Sequence, residues 1–225
     1  MIEITAPTFQ NTPVLISPPL LPEQIKLEKT LNLGVLASGS GSNFEAIAQS
    51  IAAGKLNARI QVIIYNKPKA KAAERAKNLG IPAVLLDHRH YKSREALDFA
   101  IVKTLQEYQA DWVIMAGWMR IVTSTLLDAF RDRVINIHPS LLPSFPGIKA
   151  VEQALDAGVK VTGCTVHLAC LEVDSGPILM QAVVPILADD TAETLHSRIQ
   201  IQEHHIFPPA IALAAKRLQN NDPLV

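Results

Sequence analysis

Apolar, β-branched stretches alternate with amphipathic ones between residues 31 and 138. Five short apolar runs have the composition of strands that are buried on both faces of a parallel sheet. These runs span residues 31–37, 58–65, 82–87, 111–117 and 133–138.

Between these runs lie stretches with apolar residues at helical spacing, at 43–54, 71–80, 93–108 and 123–130. Gly54 and Gly80 stand where helices commonly stop. Such an alternation of strand and helix predicts an α/β fold, with a doubly wound, mostly parallel sheet and helices on both of its faces.

The pattern changes after Gly147. Two longer apolar runs, 159–172 and 176–187, predict a late antiparallel strand pair, and a final helix is expected over about 191–220. Pro208 and Pro209 are expected to kink or split that helix.

The chain is therefore divided into an N-terminal extension (1–30), one α/β domain (31–218) and a C-terminal tail (219–225). The extension carries five of the 15 prolines. We expect it to be extended, or wrapped on the surface of the domain.

The composition argues against a nucleic-acid or membrane partner. Lys plus Arg and Asp plus Glu both number 21, so no net charge attracts a polyanion. No segment approaches the roughly 20 apolar residues of a membrane span, and the first 30 residues make a poor signal or transit peptide. Cys164 and Cys170 lack zinc-finger partners and are expected to be small buried hydrophobes in a reducing cytoplasm.

Ligands of a doubly wound sheet bind at the carboxyl ends of its strands, near the switch in strand order. The first loop at that edge, Ala-Ser-Gly-Ser-Gly-Ser-Asn at 37–43, joins glycines to a helix N-terminus, a combination that binds phosphate. Phe44 replaces the third glycine of a dinucleotide fingerprint, and no Gly-Lys-Ser/Thr follows as in a P-loop. The loop favours a phosphomonoester, with a simple tight turn as an equal alternative.

A second loop at this edge, 116–122, is apolar apart from Arg120. All of its large apolar residues can belong to the core: Trp118, Met119, Ile121 and Val122. An apolar cluster with a single arginine also suits a flat heteroaromatic ligand that needs apolar walls and few polar contacts.

The third candidate is the uncharged stretch 135–147, Ile-Asn-Ile-His-Pro-Ser-Leu-Leu-Pro-Ser-Phe-Pro-Gly. Asn136 and His138 are two apart in a predicted strand, so they project from one face, and Pro139 ends the strand ladder. A lone histidine is more often structural, but an amide beside it suits acyl-type transfer: the amide stabilises an oxyanion and the imidazole handles a proton. No serine elbow or activated cysteine is present in the sequence, so we expect the substrate to bring its own nucleophile.

A histidine in this role needs a carboxylate that orients or charges it. Glu172 and Asp174 lie between the two late runs, and Asp174 is the better candidate because Ser-Gly-Pro follows it in a tight loop. An ordinary turn-forming aspartate is the alternative.

The remaining histidines give a weaker signal. His167 either lines the site or is a satisfied sheet histidine. His196, His204 and His205 do not share one helix face, so we expect no metal site.

Six motifs together resemble those of the folate-dependent phosphoribosylglycinamide formyltransferases. In chain order they are SGSGSN (38–43), SREA (93–96), AGWMRI (116–121), NIHPSLLPSFPG (136–147), VDSGPIL (173–179) and QEH (202–204). The resemblance covers about residues 31–218. It implies a Rossmann-like formyltransferase domain that uses 10-formyltetrahydrofolate as co-substrate and glycinamide ribonucleotide as acceptor, in purine biosynthesis.

The resemblance also implies roles residue by residue. The ribonucleotide phosphate is assigned to Gly41, Ser42 and Asn43, and the ribose hydroxyls to Glu203. Folate contacts are assigned to Arg94, Met119, Arg120, Ile121, Val122 and Asn136. Catalysis is assigned to Asn136, His138 and Asp174. Arg94 and Glu203 rest on the resemblance alone, with a solvated helix face as the alternative for both.

Three rival functions are weighed against this one. Methionyl-tRNA formyltransferase shares the Asn-x-His and SLLP pattern, but its loop continues to an Arg-Gly pair where this chain has Phe-Pro-Gly, and a basic RNA-binding domain is expected. Formyltetrahydrofolate hydrolase uses water as acceptor, and its expected regulatory domain does not fit in 30 residues. A non-enzymatic ribonucleotide-binding module has no need of the Asn/His/Asp set. We expect small-molecule substrates, no nucleic-acid or membrane partner, and a monomer or homodimer.

Overall fold

The computed structural model describes residues 15–223, so the expectations for 1–14 and for 224–225 lie outside the described residues. The strands within this range are β1 (Ile16–Ser17), β2 (Leu31–Ala37), β3 (Ala58–Tyr65), β4 (Ala83–Leu85), β5 (Trp112–Met115), β6 (Val134–His138), β7 (Val161–Leu168) and β8 (Ile178–Pro185). The α-helices are α1 (Ser42–Ala52), α2 (Lys71–Asn78), α3 (Arg94–Glu107), α4 (Ser124–Ala129), α5 (Ala150–Asp156) and α6 (Ala192–Asn220). Short 3-10 helices span Pro22–Ile25 and His88–His90.

These strands form one sheet in the order β1-β8-β7-β6-β5-β2-β3-β4. The strands from β6 through β5, β2 and β3 to β4 run parallel to one another. The five predicted strands and the doubly wound fold are therefore confirmed. β4 and β5 are shorter than the apolar runs that predicted them, because the residues that follow Leu85 and Met115 leave the sheet and form loops at its carboxyl edge.

Two apolar cores lie on opposite faces of the sheet, and neighbouring residues of β2 divide between them. Val35 packs in one core with residues of α1, α2, α5 and α6, while Leu36 packs in the other with residues of α3 and α4. Helices therefore cover both faces, as an alternating βα sequence requires.

The strand order reverses between β2 and β5. The loops after these two strands are tied together at the reversal: Ser38 N donates to Gly117 O at 3.0 Å, and Met119 N donates to Ser38 Oγ at 2.8 Å. A reversal of this kind opens a crevice between the two loops, which is where open α/β sheets bind ligands.

The late strand pair is present and continues the same sheet. β7 pairs antiparallel with β8 on one side and with β6 on the other. In the β6–β7 register, Asn136 lies opposite His167 and His138 lies opposite Thr165. This pairing brings a second histidine to the strand that carries the predicted Asn/His pair.

The last helix differs from its prediction. α6 runs unbroken for 29 residues through Pro208 and Pro209, so the expectation of a split is wrong. The proline nitrogens cannot donate to the carbonyls one turn earlier, but the apolar residues around them are fully buried and hold the helix together: Ile206, Phe207, Ala210 and Ile211. No helix between residues 15 and 223 is long and apolar enough to cross a membrane.

Helix α5 was not predicted. It is seven residues long, and the residue before it, Lys149, has a left-handed φ of 58° and makes no side-chain cap. Neither a cap residue nor a long periodic stretch therefore marks its start in the sequence.

The described part of the N-terminal extension lies against the domain. β1 pairs antiparallel with β8, with Ile16 opposite Ala182. The 3-10 helix Pro22–Ile25 follows, and the Leu27 side chain is buried in the core that contains α6. This placement fits the expected extended, surface-wrapped segment, while the division of the chain at residue 30 stays a prediction.

Candidate active site

Strand β6 ends with the predicted pair. Asn136 and His138 share a face of the sheet, and His138 is only 5% exposed. The His138 ring lies between two oxygen atoms: Nδ1 is 3.3 Å from Asp174 Oδ2, and Nε2 is 2.9 Å from Phe145 O. Each ring nitrogen of His138 therefore faces one oxygen acceptor.

Asp174 is held in place by the loop between β7 and β8. Its φ of 54° is left-handed, and Gly147 N donates to its Oδ2 at 2.8 Å. Burial alone raises the pKa of this carboxyl, but the His167 side chain, the Gly147 N–H and the positive charge of the neighbouring imidazoles outweigh it, so the pKa of Asp174 lies below its ordinary value. The carboxylate is therefore ionised at neutral pH beside His138.

His167 belongs to the same cluster, which settles the alternative that the sequence left open. Its Nδ1 lies 2.9 Å from Leu168 O, which can only accept a hydrogen bond. Its Nε2 lies 3.1 Å from Asn136 Nδ2. The same Nε2 is 3.6 Å from Asp174 Oδ1. His167 thus orients the Asn136 amide with its nitrogen towards the cluster.

The Asn136 amide faces Asp174 as well. Its Nδ2 lies 3.4 Å from Asp174 Oδ1, so a single carboxylate contacts both Asn136 and His138. The structure brings together all three residues that the resemblance assigned to catalysis, and it adds His167. The sequence left two alternatives open for His167, because its position depends on the β6–β7 register.

An apolar cleft of about 280 Å³ opens beside this cluster. Five of the six residues predicted to contact folate line it: Met119, Arg120, Ile121, Val122 and Asn136. The 116–122 loop was interpreted either as core or as the wall of a ligand site, and both interpretations hold in part. Val122 is buried in the core, whereas Met119 is 69% exposed at the mouth of the cleft. Three further apolar residues surround the cleft although the sequence did not single them out: Ile148, Leu171 and Val173.

Two nitrogen atoms in the cleft walls have no partner among residues 15–223. Arg120 Nε and Trp118 Nε1 are both buried and unpaired. Buried N–H donors are normally satisfied, so these two are suited to acceptor atoms of a ligand.

The predicted phosphate loop leads into α1. Gly41 has a left-handed φ of 74° and precedes the first helical residue, Ser42. A Cβ on Gly41 would lie 2.8 Å from the Ala72 backbone, so glycine is required here for close packing as well as for conformation. The backbone N–H groups of this first turn and the positive end of the helix dipole make an anion site.

Helix α6 closes the other side of this loop. Asn43 Nδ2 donates to Glu203 Oε2 at 2.8 Å, and Gln200 Nε2 donates to Ser42 Oγ at 2.9 Å. Glu203 is 4% exposed, so the alternative of a solvated helix face is wrong for it, and burial raises the pKa of its carboxyl. Gln200 was missed; its only signal is a polar residue one turn before Glu203.

The remaining predictions concern Arg94, the two cysteines and the absence of a metal site. Arg94 is exposed at the start of α3 and does not line the cleft, so its folate contact stays a prediction. Cys164 is fully buried, and burial raises the pKa of its thiol. Cys170 is half-exposed and lines the cleft, so the expectation of a buried hydrophobe is wrong for it. No three His, Cys, Asp or Glu side chains in the described part of the chain could together hold a metal ion.

Comparisons with known proteins point to one family. The formyl transferase family matches residues 31–211. A phosphoribosylglycinamide formyltransferase of Bacillus subtilis (strain 168) is 43% identical over 177 residues, which cover 79% of this chain and 91% of that protein. A trifunctional purine biosynthetic protein adenosine-3 of Bos taurus is 44% identical over 83% of this chain, and the match spans only 18% of that protein's length.

A solved structure agrees in fold. The crystal structure of glycinamide ribonucleotide transformylase 1 from Symbiobacterium toebii has a TM-score of 0.83 and 46% identity, covering 85% of this chain and 91% of that one. Since the family match takes in most of the domain that carries the cluster, the cleft and the phosphate loop, the chain belongs to the formyl transferase family.

Proposed function

We propose that the protein transfers the formyl group of 10-formyltetrahydrofolate to the amine of 5'-phosphoribosylglycinamide, giving the N-formyl product and tetrahydrofolate in purine biosynthesis. The observation that carries this proposal is the Asp174 carboxylate that contacts both His138 and Asn136 at the end of an apolar cleft. The relatives named phosphoribosylglycinamide formyltransferase support it.

The chemistry requires a stabilised oxyanion. The amine of the ribonucleotide attacks the formyl carbon, and the carbonyl oxygen acquires negative charge. An N–H of Asn136 and an N–H of the charged His138 ring donate to that oxygen, while Asp174 sustains the charge of the ring. Both donors already have partners in the structure: the Asn136 nitrogen faces Asp174 and His167, and the His138 Nε2 faces Phe145 O. One N–H of Asn136 and the Nε2–H of His138 therefore turn to the oxyanion during the reaction, while His138 Nδ1 stays beside Asp174.

The tetrahedral intermediate then collapses. The bond between the formyl carbon and the folate N10 breaks, and the electron pair returns to N10. The proton lost by the attacking amine reaches N10 through water, with His138 and Asp174 as relay. The products are the formylated amide and tetrahydrofolate, so no oxidant, metal or covalent enzyme adduct is needed.

The cleft offers no competing protein nucleophile. Its cysteine, Cys170, points its Sγ at Glu172 O at 3.1 Å. The nearby Ser140 hydroxyl is buried and donates to Ser144 O at 2.5 Å. Within residues 15–223 both groups donate to backbone carbonyls and neither donates to a side-chain base, which supports direct transfer between the two substrates.

The two substrates have separate places at one edge of the sheet. The folate ring would occupy the apolar cleft, with Arg120 and Trp118 offering their unpaired N–H groups. The ribonucleotide phosphate would bind at Gly41, Ser42 and Asn43, and Glu203 would accept hydrogen bonds from the ribose hydroxyls. The Ser38–Gly117 hydrogen bond joins these two places, which brings the amine and the formyl group together.

Formyl transfer itself tests the proposal. Purified protein is mixed with 10-formyltetrahydrofolate, and release of tetrahydrofolate is followed with and without the ribonucleotide. We expect release that requires the ribonucleotide. Release without it would favour the hydrolase, and the absence of release in both cases would contradict an enzymatic role with these substrates.

Two variants make the test specific to the cluster. His138→Ala should lower kcat by about 10³-fold, the range of general acid–base and oxyanion groups, while the Kd of the ribonucleotide stays within about twofold. His205→Ala serves as the matched control, because His205 is exposed on α6 away from the cleft. Loss of ribonucleotide binding in His138→Ala would contradict the assigned role.

The proposal extends to the location and the assembly of the protein. The relatives act in small-molecule metabolism, which supports the expected cytoplasmic location and small-molecule substrates. The expected monomer or homodimer stays a prediction, and sedimentation of the purified chain would decide between the two.

A further inference from the structure

The phosphate loop rests on α2 as well as on α1 and α6. Ala72 N donates to Gly39 O at 3.2 Å, and the Gly41 backbone packs directly on Ala72. Arg75, one turn further along α2, donates from Nε to Ser40 O at 2.9 Å. Two successive loop carbonyls are therefore bound by one helix.

Binding a carbonyl also fixes the N–H of the same peptide unit. In a trans peptide the C=O and the N–H point in opposite directions because the unit is planar. The Arg75 bond to Ser40 O therefore turns the Gly41 N–H away from α2, and the Ala72 bond does the same for the Ser40 N–H. Neither of these two N–H groups donates to an acceptor within residues 15–223, so both are available to an anion.

Arg75 also contacts an acidic residue beside the anion site. Its guanidinium forms an ion pair with Glu45, which lies in the first turn of α1. A carboxylate in that turn repels a phosphate at the same helix end, and a guanidinium beside it offsets that repulsion. Arg75 is 32% exposed at its side chain, so solvent screens the pair only in part.

We propose that Arg75 is a positioning residue for the substrate phosphate. It acts through its neighbours in two ways: it fixes the Ser40–Gly41 peptide so that the Gly41 N–H faces the anion, and it neutralises Glu45. The inference rests on the proposed ribonucleotide site but names a residue outside the family motifs that define that site.

The test measures phosphate binding directly, without turnover. Calorimetric titration of ribose 5-phosphate is carried out with the wild-type protein and with Arg75→Met, Glu45→Gln and the double variant. Arg75→Met should raise the Kd about tenfold. In the double variant, Arg75→Met with Glu45→Gln, the Kd should be about threefold lower than in Arg75→Met alone. The Glu45 charge that repels the phosphate is then gone, but the Ser40–Gly41 peptide is still not held in place. Arg75→Lys keeps the positive charge but lacks the several N–H donors of the guanidinium. Its Kd should lie between those of the wild type and Arg75→Met.

Two further readouts separate positioning from a general structural role. The KM for the ribonucleotide should rise in Arg75→Met while the KM for the folate stays unchanged, and Tm should fall no more than in the control Arg131→Met. Arg131 is a suitable control because it pairs with Asp128 at the surface, away from the loop.

The outcomes are distinguishable from failure of the proposed function. A wild-type protein that binds ribose 5-phosphate in an Arg75-dependent way but turns over no folate keeps this inference and rejects the transferase. An active transferase in which Arg75→Met and Glu45→Gln both leave the Kd and the KM unchanged overturns the inference. Three other outcomes also overturn it. The KM of Arg75→Met could rise equally for the ribonucleotide and the folate, or the wild type could fail to bind ribose 5-phosphate. The double variant could also have the same Kd as Arg75→Met alone. If Arg75→Met fails to fold, unchanged binding in Arg75→Lys overturns it as well.

Discussion

Asp174 Oδ2 lies 3.3 Å from His138 Nδ1, while the opposite nitrogen of the same ring lies against a backbone carbonyl. The imidazole is therefore enclosed by acceptors on both sides, and the carboxylate supplies the negative charge. This relationship sets the first prediction.

Asp174→Asn should lower kcat by at least 100-fold with little change in KM, because the amide is neutral and can no longer sustain a charged His138 ring. Steady-state kinetics check this. Asp128→Asn is the matched control, since Asp128 is exposed and pairs with Arg131 at the surface. A variant with wild-type kcat would remove Asp174 from the mechanism.

The same carboxylate predicts a pH dependence of stability. The pKa of Asp174 is lower in the folded chain than in the unfolded one, so its contribution is present at neutral pH and is lost as the pH falls through the ordinary range of an aspartate, about 4, towards the folded value. The Tm difference between wild type and Asp174→Asn should therefore shrink on acidification below about pH 4. A difference that stays constant down to pH 3 would contradict the lowered pKa.

His167 is expected to act by orienting Asn136. His167→Leu removes the ring nitrogen at 3.1 Å from Asn136 Nδ2 and should lower kcat about tenfold with unchanged folate KM. His167→Gln, which keeps a polar group there, should recover part of that loss. If both variants lose activity equally and also lose Tm, His167 is structural only.

Glu203 predicts the opposite sign of pH dependence. Burial raises the pKa of its carboxyl in the folded chain, so the fold loses stability as the pH rises above the ordinary range of a glutamate, about 4.3. Glu203→Gln should therefore have a Tm advantage that grows from pH 4 towards neutrality. Its KM for the ribonucleotide should still rise if Glu203 binds the ribose. Thermal unfolding at several pH values, with the half-buried neighbour Gln202→Ala as control, checks both parts.

Gly176 is expected to be needed for the position of Asp174. A Cβ on residue 176 would lie 1.8 Å from Leu168 O, a distance that requires the backbone to move. Gly176→Ala should cost about 2 kcal/mol of unfolding free energy or more, and it should lower kcat because the loop shifts Asp174. Urea denaturation of this variant beside Ser175→Ala, an exposed neighbour, measures the effect. Equal stability of the two variants would show that the loop adapts.

The parallel strands of the sheet could be predicted because each one is a continuous apolar stretch of sequence. The loops expected to bind ligands could be predicted because they follow these strands directly. The shared face of Asn136 and His138 followed from the two-residue period of a strand. The placement of His167 was not predictable in this way, since it depends on pairing between strands that lie far apart in the chain.

Two helices also differ from what the sequence predicted. Helix α5 lacks a side-chain cap, and α6 continues through two prolines because tertiary burial outweighs local preference. The role inferred for Arg75 has no sequence signal at all, because on α2 it is one of several basic residues. Only its contacts with the Ser40 carbonyl and with Glu45 distinguish it.

The short strand β1 has a consequence for the behaviour of the protein in solution. Without it, β8 would be a free sheet edge of eight residues with unpaired backbone groups, a template onto which a second chain can add a strand. Ile16 and Ser17 occupy part of that edge, and Leu15 O accepts from Val183 N at 2.9 Å. Residues 15–17 thus block part of the β8 edge against strand addition by a second molecule. A chain that begins at residue 31 is expected to aggregate more readily than the full chain.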